Sequence, residues 1–153
     1  MYPRNTIVRF ALFSGIACLI SMTFVSCTAV DETTVNVVLR EFSVTPASES
    51  APAGRITFHV MNDGDEGHEF LVIRTDLAPD ALPTEEDGSY QENGPGTEIL
   101  DEIGFIRSGS SEDLTLELEP GNYVLVCNYI DIEDDGEVEA HYALGMRAPF
   151  SVE

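Results

Sequence analysis

Short segments in which apolar and polar residues alternate are the feature that most limits the fold of this chain. The segment "TVNVVLREFSV" places Val35, Val37 and Leu39 on one face, and "GRITFHVMN" and "DLTLELEPG" repeat the pattern. A period of two residues is that of a half-buried strand, whereas helical periodicity is nearly absent. Strands recurring at this spacing between turn residues predict an antiparallel β-sandwich or barrel.

Three other stretches complete this outline. The run "HEFLVIRT" is densely apolar and is predicted to be a central strand that is covered on both faces. Residues 76–98 are rich in Pro and Gly, and are predicted to form a long surface excursion with one helical turn near Asp80 to Leu82. The acidic insertion, Asp131 to Glu139, is predicted to be a second surface loop.

The N-terminal 27 residues have the layout of a secretory signal peptide. Arg4 and Arg9 precede the apolar run "FALFSGIACLISMTFVSC", which is too short and too interrupted for a membrane span. The "FVSC" motif resembles a bacterial lipobox with Cys27 as the lipidated residue, although Phe24 departs from the usual aliphatic residue. Cleavage near residues 26–29 without lipidation is the alternative. We therefore predict a lipoprotein-type signal over 1–27, a tether over 28–33 and one domain over 34–153.

The chain is strongly acidic. It holds 28 Asp and Glu against seven Arg and Lys, which gives a formal net charge of −21. Coulomb repulsion from such a surface excludes nucleic acid and anionic lipid as partners. The acidic side chains are either simply solvated, as suits a salty habitat where ions screen their mutual repulsion, or they form a docking surface for a basic partner.

Cysteine usage narrows the function further. Cys18 and Cys27 lie in the predicted signal, so Cys127 is left without a disulfide partner in an oxidising compartment. It is therefore a buried structural thiol, a reactive nucleophile or a metal ligand. A thiol enzyme is the weakest of these because only Arg147 supplies positive charge nearby in the sequence, and a catalytic thiolate needs an electropositive setting.

Four residues with affinity for soft metals lie at the ends of predicted strands. His68 opens one strand, Cys127 ends another, and His141 and Met146 lie in the segment before the last strand. Two imidazoles, a thiolate and a weak axial thioether are the ligands of a type 1 copper site. His59, in the middle of a strand and opposite Phe58, is predicted to be a surface histidine instead.

Three segments resemble the plastocyanin-like cupredoxins, the type 1 blue copper proteins. "NDGDEGHEFLVI" is similar to their first histidine segment, "LEPGNYVLVCN" to the strand before their copper cysteine, and "HYALGMRAPFSV" to their last histidine–methionine loop. The resemblance implies an all-β, Greek-key β-sandwich of about seven to eight strands, with one copper ion held by His68, Cys127, His141 and Met146. One departure is that thirteen residues separate Cys127 from His141, where the family has only a few.

The resemblance implies an electron carrier and not an enzyme, whereas the signal peptide predicts that the protein is exported; we expect it to be a monomer. It would pass single electrons between redox partner proteins that have basic docking surfaces. Its location would be periplasmic, extracellular or membrane-anchored, and its only contact with the membrane would be a lipid on Cys27. A copper-delivery module and a metal-free accessory sandwich are the alternatives. In the acidic insertion, Asp131, Glu133 and Asp135 resemble half of a calcium-binding EF-hand loop. Tyr142 stands where that loop needs Glu, so a solvated acidic loop is preferred.

Overall fold

The computed structural model describes residues 32–132 and 136–153. The predicted signal peptide, residues 28–31 of the tether, and Glu133 and Asp135 of the EF-hand-like pattern lie outside the described residues. Within the described residues are eleven strands, a 3₁₀-helix at Pro79–Ala81 and a four-residue helix, α1, at His141–Leu144. The strands are β1 (Glu32–Arg40), β2 (Ser43–Pro46), β3 (Ser50–Ala51), β4 (Gly54–Asn62), β5 (His68–Thr75), β6 (Thr97–Ile106), β7 (Ser111–Leu118), β8 (Gly121–Val126), β9 (Ile130–Ile132), β10 (Val138–Ala140) and β11 (Arg147–Val152).

Two main sheets form a sandwich, and the predicted all-β class is confirmed. The first sheet has the order β2-β1-β4-β7 and the second has the order β3-β11-β8-β5-β6. Most pairings are antiparallel as predicted, but β1 pairs with β4 and β3 with β11 in parallel, so both sheets are mixed. Several strands are short, which is why the count exceeds the seven to eight expected.

The main core lies between the inner faces of these sheets. The alternation in β1 is confirmed, since Val35, Val37 and Leu39 are all buried and the residues between them are more exposed. Phe58 of β4 packs against Phe70 of β5, with ring centroids 5.6 Å apart. Inward-facing apolar side chains from both sheets complete this core: Val35, Val37, Leu39, Ile56, Phe58, Val60, Phe70, Val72, Leu125 and Phe150.

A second, smaller core explains why β5 is apolar along its whole length. Phe70 and Val72 face the main core, whereas Leu71 and Ile73 face the opposite side of the second sheet. There they pack with Leu82 and Tyr90, which belong to the excursion between β5 and β6. The excursion therefore covers this sheet, and its 3₁₀-helix lies where one helical turn was predicted.

The acidic insertion differs from the prediction. Part of it is a two-stranded hairpin in which β9 pairs with β10, with Ile132 opposite Val138 and Ile130 opposite Ala140. Apolar residues that alternate with Asp131 and Glu139 favour this pairing, and the acidic composition concealed the signal.

The first strand begins earlier in the chain than predicted. β1 begins at Glu32, so it includes the last two residues assigned to the tether. No helix among the described residues is long and apolar enough to cross a membrane.

Candidate metal centre

A hydrogen-bonded turn places His68 at the start of β5. Asn62, at the end of β4, is fully buried, and its amide nitrogen donates to the backbone oxygens of Glu66 (2.7 Å) and Ile106 (2.9 Å). Its side-chain oxygen accepts from the backbone N–H of Gly64 (2.9 Å). A buried amide with all of these partners is costly to disturb, so the turn that leads to His68 is fixed.

Cys127 lies directly after β8, and its backbone connects it to Met146. The Cys127 N–H donates to the backbone oxygen of Met146 (3.0 Å). The thiol sulfur accepts from the backbone N–H of Glu69 (3.2 Å), the residue that follows His68. Cys127 and Met146 are both fully buried in the main core. These contacts place Cys127 beside both Met146 and the start of β5, where His68 lies.

His141 is the first residue of α1, where the sequence predicted a loop. Its N–H donates to the backbone oxygen of Tyr129, and its own oxygen accepts from the Met146 N–H, both at 3.0 Å. Gly145 ends the helix with φ +121°, a conformation that favours glycine. The hydroxyl of Tyr142 donates to the Pro79 oxygen (2.8 Å), which attaches α1 to the excursion.

The ligand atoms of His68, Cys127 and His141 converge at one point. The two Nδ1 atoms are 3.1 Å apart, and Cys127 Sγ lies 3.8 Å from Nδ1 of His68 and 3.5 Å from Nδ1 of His141. All three side chains are completely buried. They are the only group of three or more His, Cys, Asp or Glu side chains in the described part of the chain that could hold a metal ion.

Burial sets the protonation of this cluster. Burial and the nearby imidazole of His68 together lower the pKa of His141 to about 4. Burial also lowers the pKa of His68, although Glu41 opposes the shift. The pKa of the Cys127 thiol rises to about 12, mainly through burial, despite the N–H that Glu69 donates. At neutral pH both imidazoles can therefore offer a lone pair, whereas the thiol must lose a proton to become a ligand.

The cluster fits a copper ion. A point equidistant from three atoms that are 3.1, 3.5 and 3.8 Å apart lies about 2.0 Å from each. Bonds from zinc, a comparable ion, to imidazole nitrogen are ~2.0–2.1 Å and to thiolate sulfur ~2.3 Å. A trigonal set of two histidines and one cysteine, with methionine as a weak fourth ligand, is the arrangement that selects copper. Met146 is hydrogen-bonded through its backbone to both Cys127 and His141, so the chain places this residue beside the cluster.

Two carboxylates, which the sequence did not single out, face the outer nitrogens of the imidazoles. Glu41 Oε1 lies 3.2 Å from Nε2 of His68, and Glu66 Oε2 lies 3.3 Å from Nε2 of His141. Burial would raise the pKa of Glu41, but backbone N–H donors, led by that of Glu66, together with His68 bring it below its usual range. The sequence signal was weak, since both residues belong to an acidic background and Glu41 is distant in the chain.

Aromatic rings enclose His141 on its other sides. Phe42 and Tyr129 contact the imidazole edge-on, with ring centroids 5.3 and 5.4 Å away. Phe105 lies 5.7 Å beyond Tyr129 and has 48% of its surface exposed. Tyr129 and Phe105 therefore link the buried imidazole to the surface.

The third histidine, His59, is a surface residue as predicted. It lies on the outer face of β4, with Nδ1 2.6 Å from Asp113 Oδ1.

Solved structures of blue copper proteins share this architecture. Auracyanin from Roseiflexus castenholzii is 20% identical, with a TM-score of 0.54 over 79% of this chain and 97% of its own. Auracyanin A from Chloroflexus aurantiacus, described as a "blue" copper protein, is 15% identical, with a TM-score of 0.52 over 80% of this chain and all of its own. Rusticyanin from Thiobacillus ferrooxidans is 20% identical, with a TM-score of 0.50 over 79% of this chain and 78% of its own.

The chain has the cupredoxin fold. The predicted resemblance is thereby confirmed at the level of architecture.

Sequence comparison gives a more distant relation. No protein-family model matches the chain. The iron uptake system component EfeO of Yersinia pestis is 23% identical over 146 residues, which is 95% of this chain and 32% of EfeO. The chain thus spans about a third of the length of the curated relative that it matches.

The long Cys127–His141 segment does not separate the side chains of the cluster. Of its thirteen residues, those of β9 and β10 pair with each other, and the Tyr129 oxygen accepts from the N–H of His141 just after β10. The two strands of the hairpin run in opposite directions, so the chain returns to Tyr129 at the point where His141 begins. A longer loop costs little extra closure entropy, so the added length is compatible with the close approach of Cys127 and His141.

Proposed function

We propose that this protein is an exported type 1 copper protein that carries single electrons between redox partners and has no enzymatic activity of its own. One observation carries the proposal: Cys127 Sγ and the two Nδ1 atoms form a buried triangle of the size that a three-coordinate metal requires. In this proposal His68, Cys127, His141 and Met146 would hold the copper ion. When bound, copper supplies a one-electron couple between Cu(II) and Cu(I).

The protein frame supports rapid electron transfer by holding its ligands still. Asn62 fixes the turn before His68, the Glu69 N–H donates to the Cys127 sulfur, and Tyr142 attaches α1 to the excursion. Ligands locked by packing and hydrogen bonds move little when the charge of the site changes. Complete burial of the three side chains also excludes water, which would otherwise reorganise with each electron.

Electrons that leave through His141 would pass the aromatic pair Tyr129 and Phe105, because the imidazole itself is fully buried. A partner would then dock near Phe105. The net charge of −21 makes a basic partner the favoured one, since opposite charges accelerate the encounter. The same charge predicts that association weakens as salt is added.

Redox cycling of the copper-loaded domain, residues 28–153, tests the proposal. We expect repeated reduction and reoxidation without loss of copper, with a faster reaction toward cationic hexaammineruthenium than toward anionic hexacyanoferrate at low salt. A Phe105→Ala variant should slow both reactions without changing copper affinity. Release of copper on the first reduction would contradict an electron-carrier role.

Copper delivery is the second candidate function. It is favoured by the complete burial of both imidazoles, which slows electron exchange at the surface, and by the distant relation to EfeO, a component of an iron uptake system. In that case the reduced domain would pass copper rapidly to a competing chelator and would cycle slowly. The two functions therefore predict opposite results in the same pair of assays.

A further inference from the structure

We propose that Glu41 and Glu66 are positioning residues of the metal centre, each acting through one histidine. Glu41 faces the outer nitrogen of His68, and Glu66 faces that of His141, at 3.2 and 3.3 Å. The inference rests on the proposed function, because it assigns these carboxylates to the same copper site. They make each imidazole present Nδ1 to the metal, and they favour Cu(II) over Cu(I).

The burial of the histidines makes these contacts consequential. Both imidazoles are completely buried, and in the described part of the chain neither Nε2 makes a regular hydrogen bond. The contact with the carboxylate is therefore mainly electrostatic, and such a contact tolerates an imperfect angle. When Nδ1 binds a cation, the Nε2–H becomes more positive, and a carboxylate in a poorly solvated site stabilises that charge strongly.

The two carboxylates are also connected to each other. Glu41 Oε1 accepts the backbone N–H of Glu66 (2.9 Å), in addition to facing His68. Glu41 thus holds the turn from which Glu66 reaches His141. Both side chains are partly buried, with 24% and 30% of their surface exposed, so solvent weakens their fields only in part.

These contacts determine which nitrogen of each ring binds the metal. A histidine whose Nε2–H faces an acceptor keeps its lone pair on Nδ1, and Nδ1 is the atom that points at Cys127 Sγ in both residues. With the thiolate, the two carboxylates bring three negative charges to the site. Such a site stabilises the more highly charged ion, so removing one carboxylate should weaken Cu(II) binding more than Cu(I) binding.

Glu41→Gln and Glu66→Gln test the proposal, with Asp65→Asn as the matched control. Gln keeps a side-chain oxygen for the Glu66 N–H, so the Glu41 variant removes the charge and spares the turn. Asp65 is an exposed carboxylate in the same turn, and its variant changes the net charge equally. We expect each Gln variant to bind Cu(II) about 10-fold more weakly. A tenfold shift in relative affinity for the two oxidation states raises the reduction potential by about 59 mV.

Proton NMR of the Zn(II)-loaded domain gives a readout that is independent of redox activity. We expect one slowly exchanging Nε2–H per histidine, with the His68 signal shifted by Glu41→Gln and the His141 signal shifted by Glu66→Gln. Effects no larger than those of Asp65→Asn, in both affinity and NMR, would overturn the positioning role. Failure of the wild-type domain to bind copper would overturn the proposed function, whereas the zinc measurement would still decide the positioning role.

Discussion

Acidification of the metal-free protein should destabilise it through His141. The buried imidazole has a pKa of about 4, against an ordinary value of 6.5. The unfolded chain therefore takes up a proton below pH 6.5, and the folded chain takes it up only below about pH 4. Since the unfolded state binds more protons in this interval, the free energy of unfolding falls as the pH falls through it.

The size of this loss follows from the difference in pKa. Each pKa unit corresponds to ~1.4 kcal/mol, so the shift of about 2.5 units costs about 3 kcal/mol once the pH has reached 4. The cost is absent above pH 6.5 and does not grow further below pH 4. For a domain of ordinary stability, ~5–15 kcal/mol, this is a large fraction of the total.

Urea unfolding in the presence of a chelator measures the effect at pH 7 and pH 4. Carboxylates also titrate in this range, so the informative quantity is a comparison between variants. His141→Gln should lose about 3 kcal/mol less than wild type over the interval, because it lacks the buried imidazole. Equal losses in wild type and His141→Gln would refute the argument that burial lowers this pKa.

Three further predictions concern the core, the helix end and the thiol. Phe58→Ala should lower the free energy of unfolding by ~3–5 kcal/mol, because the ring is fully buried. Phe105→Ala should change it by less than ~1 kcal/mol, because that ring is exposed. Denaturant titration measures both effects. Gly145→Ala should cost ~1–3 kcal/mol and weaken copper binding, because φ is +121° and the new Cβ would lie 3.3 Å from the Phe42 oxygen. Gly54→Ala, with φ +125° and open space, should cost stability but not affinity, and equal affinity losses in the two would contradict this account. Copper affinity should rise about tenfold per pH unit between pH 7 and 9, because Cys127, with a pKa of about 12, releases one proton when it binds the metal. Competition titrations measure this slope and should find none in Cys127→Ser.

The strands that carry the site could be predicted because local patterns determine them. Alternation placed Val35, Val37 and Leu39 in the core, and the dense run after His68 indicated a strand buried on both faces. The order of histidine, cysteine and histidine along the chain then indicated three ligands, and the structure brings those three side chains together. Assignment of Met146 as the axial ligand remains a prediction.

Other features depend on contacts that no local pattern reveals. The segment of β6 was not recognised, because this edge strand is partly exposed and carries several carboxylates among its apolar residues. The hairpin of β9 and β10 was hidden by the same acidic bias. Glu41 reaches His68 only because the turn after β1 packs beside the turn before β5. In a chain with 28 acidic residues, the two that contact the histidines have no distinguishing sequence signal.

The visible absorption spectrum during a Cu(II) titration tests the central claim most directly. The domain from residue 28 to 153 is compared with its Cys127→Ser variant, which keeps both histidines and removes the thiolate. We predict a strong visible band that saturates at one copper per chain in the wild-type domain and is absent from the variant. A wild-type domain that binds copper without this band, or a variant that retains it, would contradict a thiolate–copper bond at Cys127.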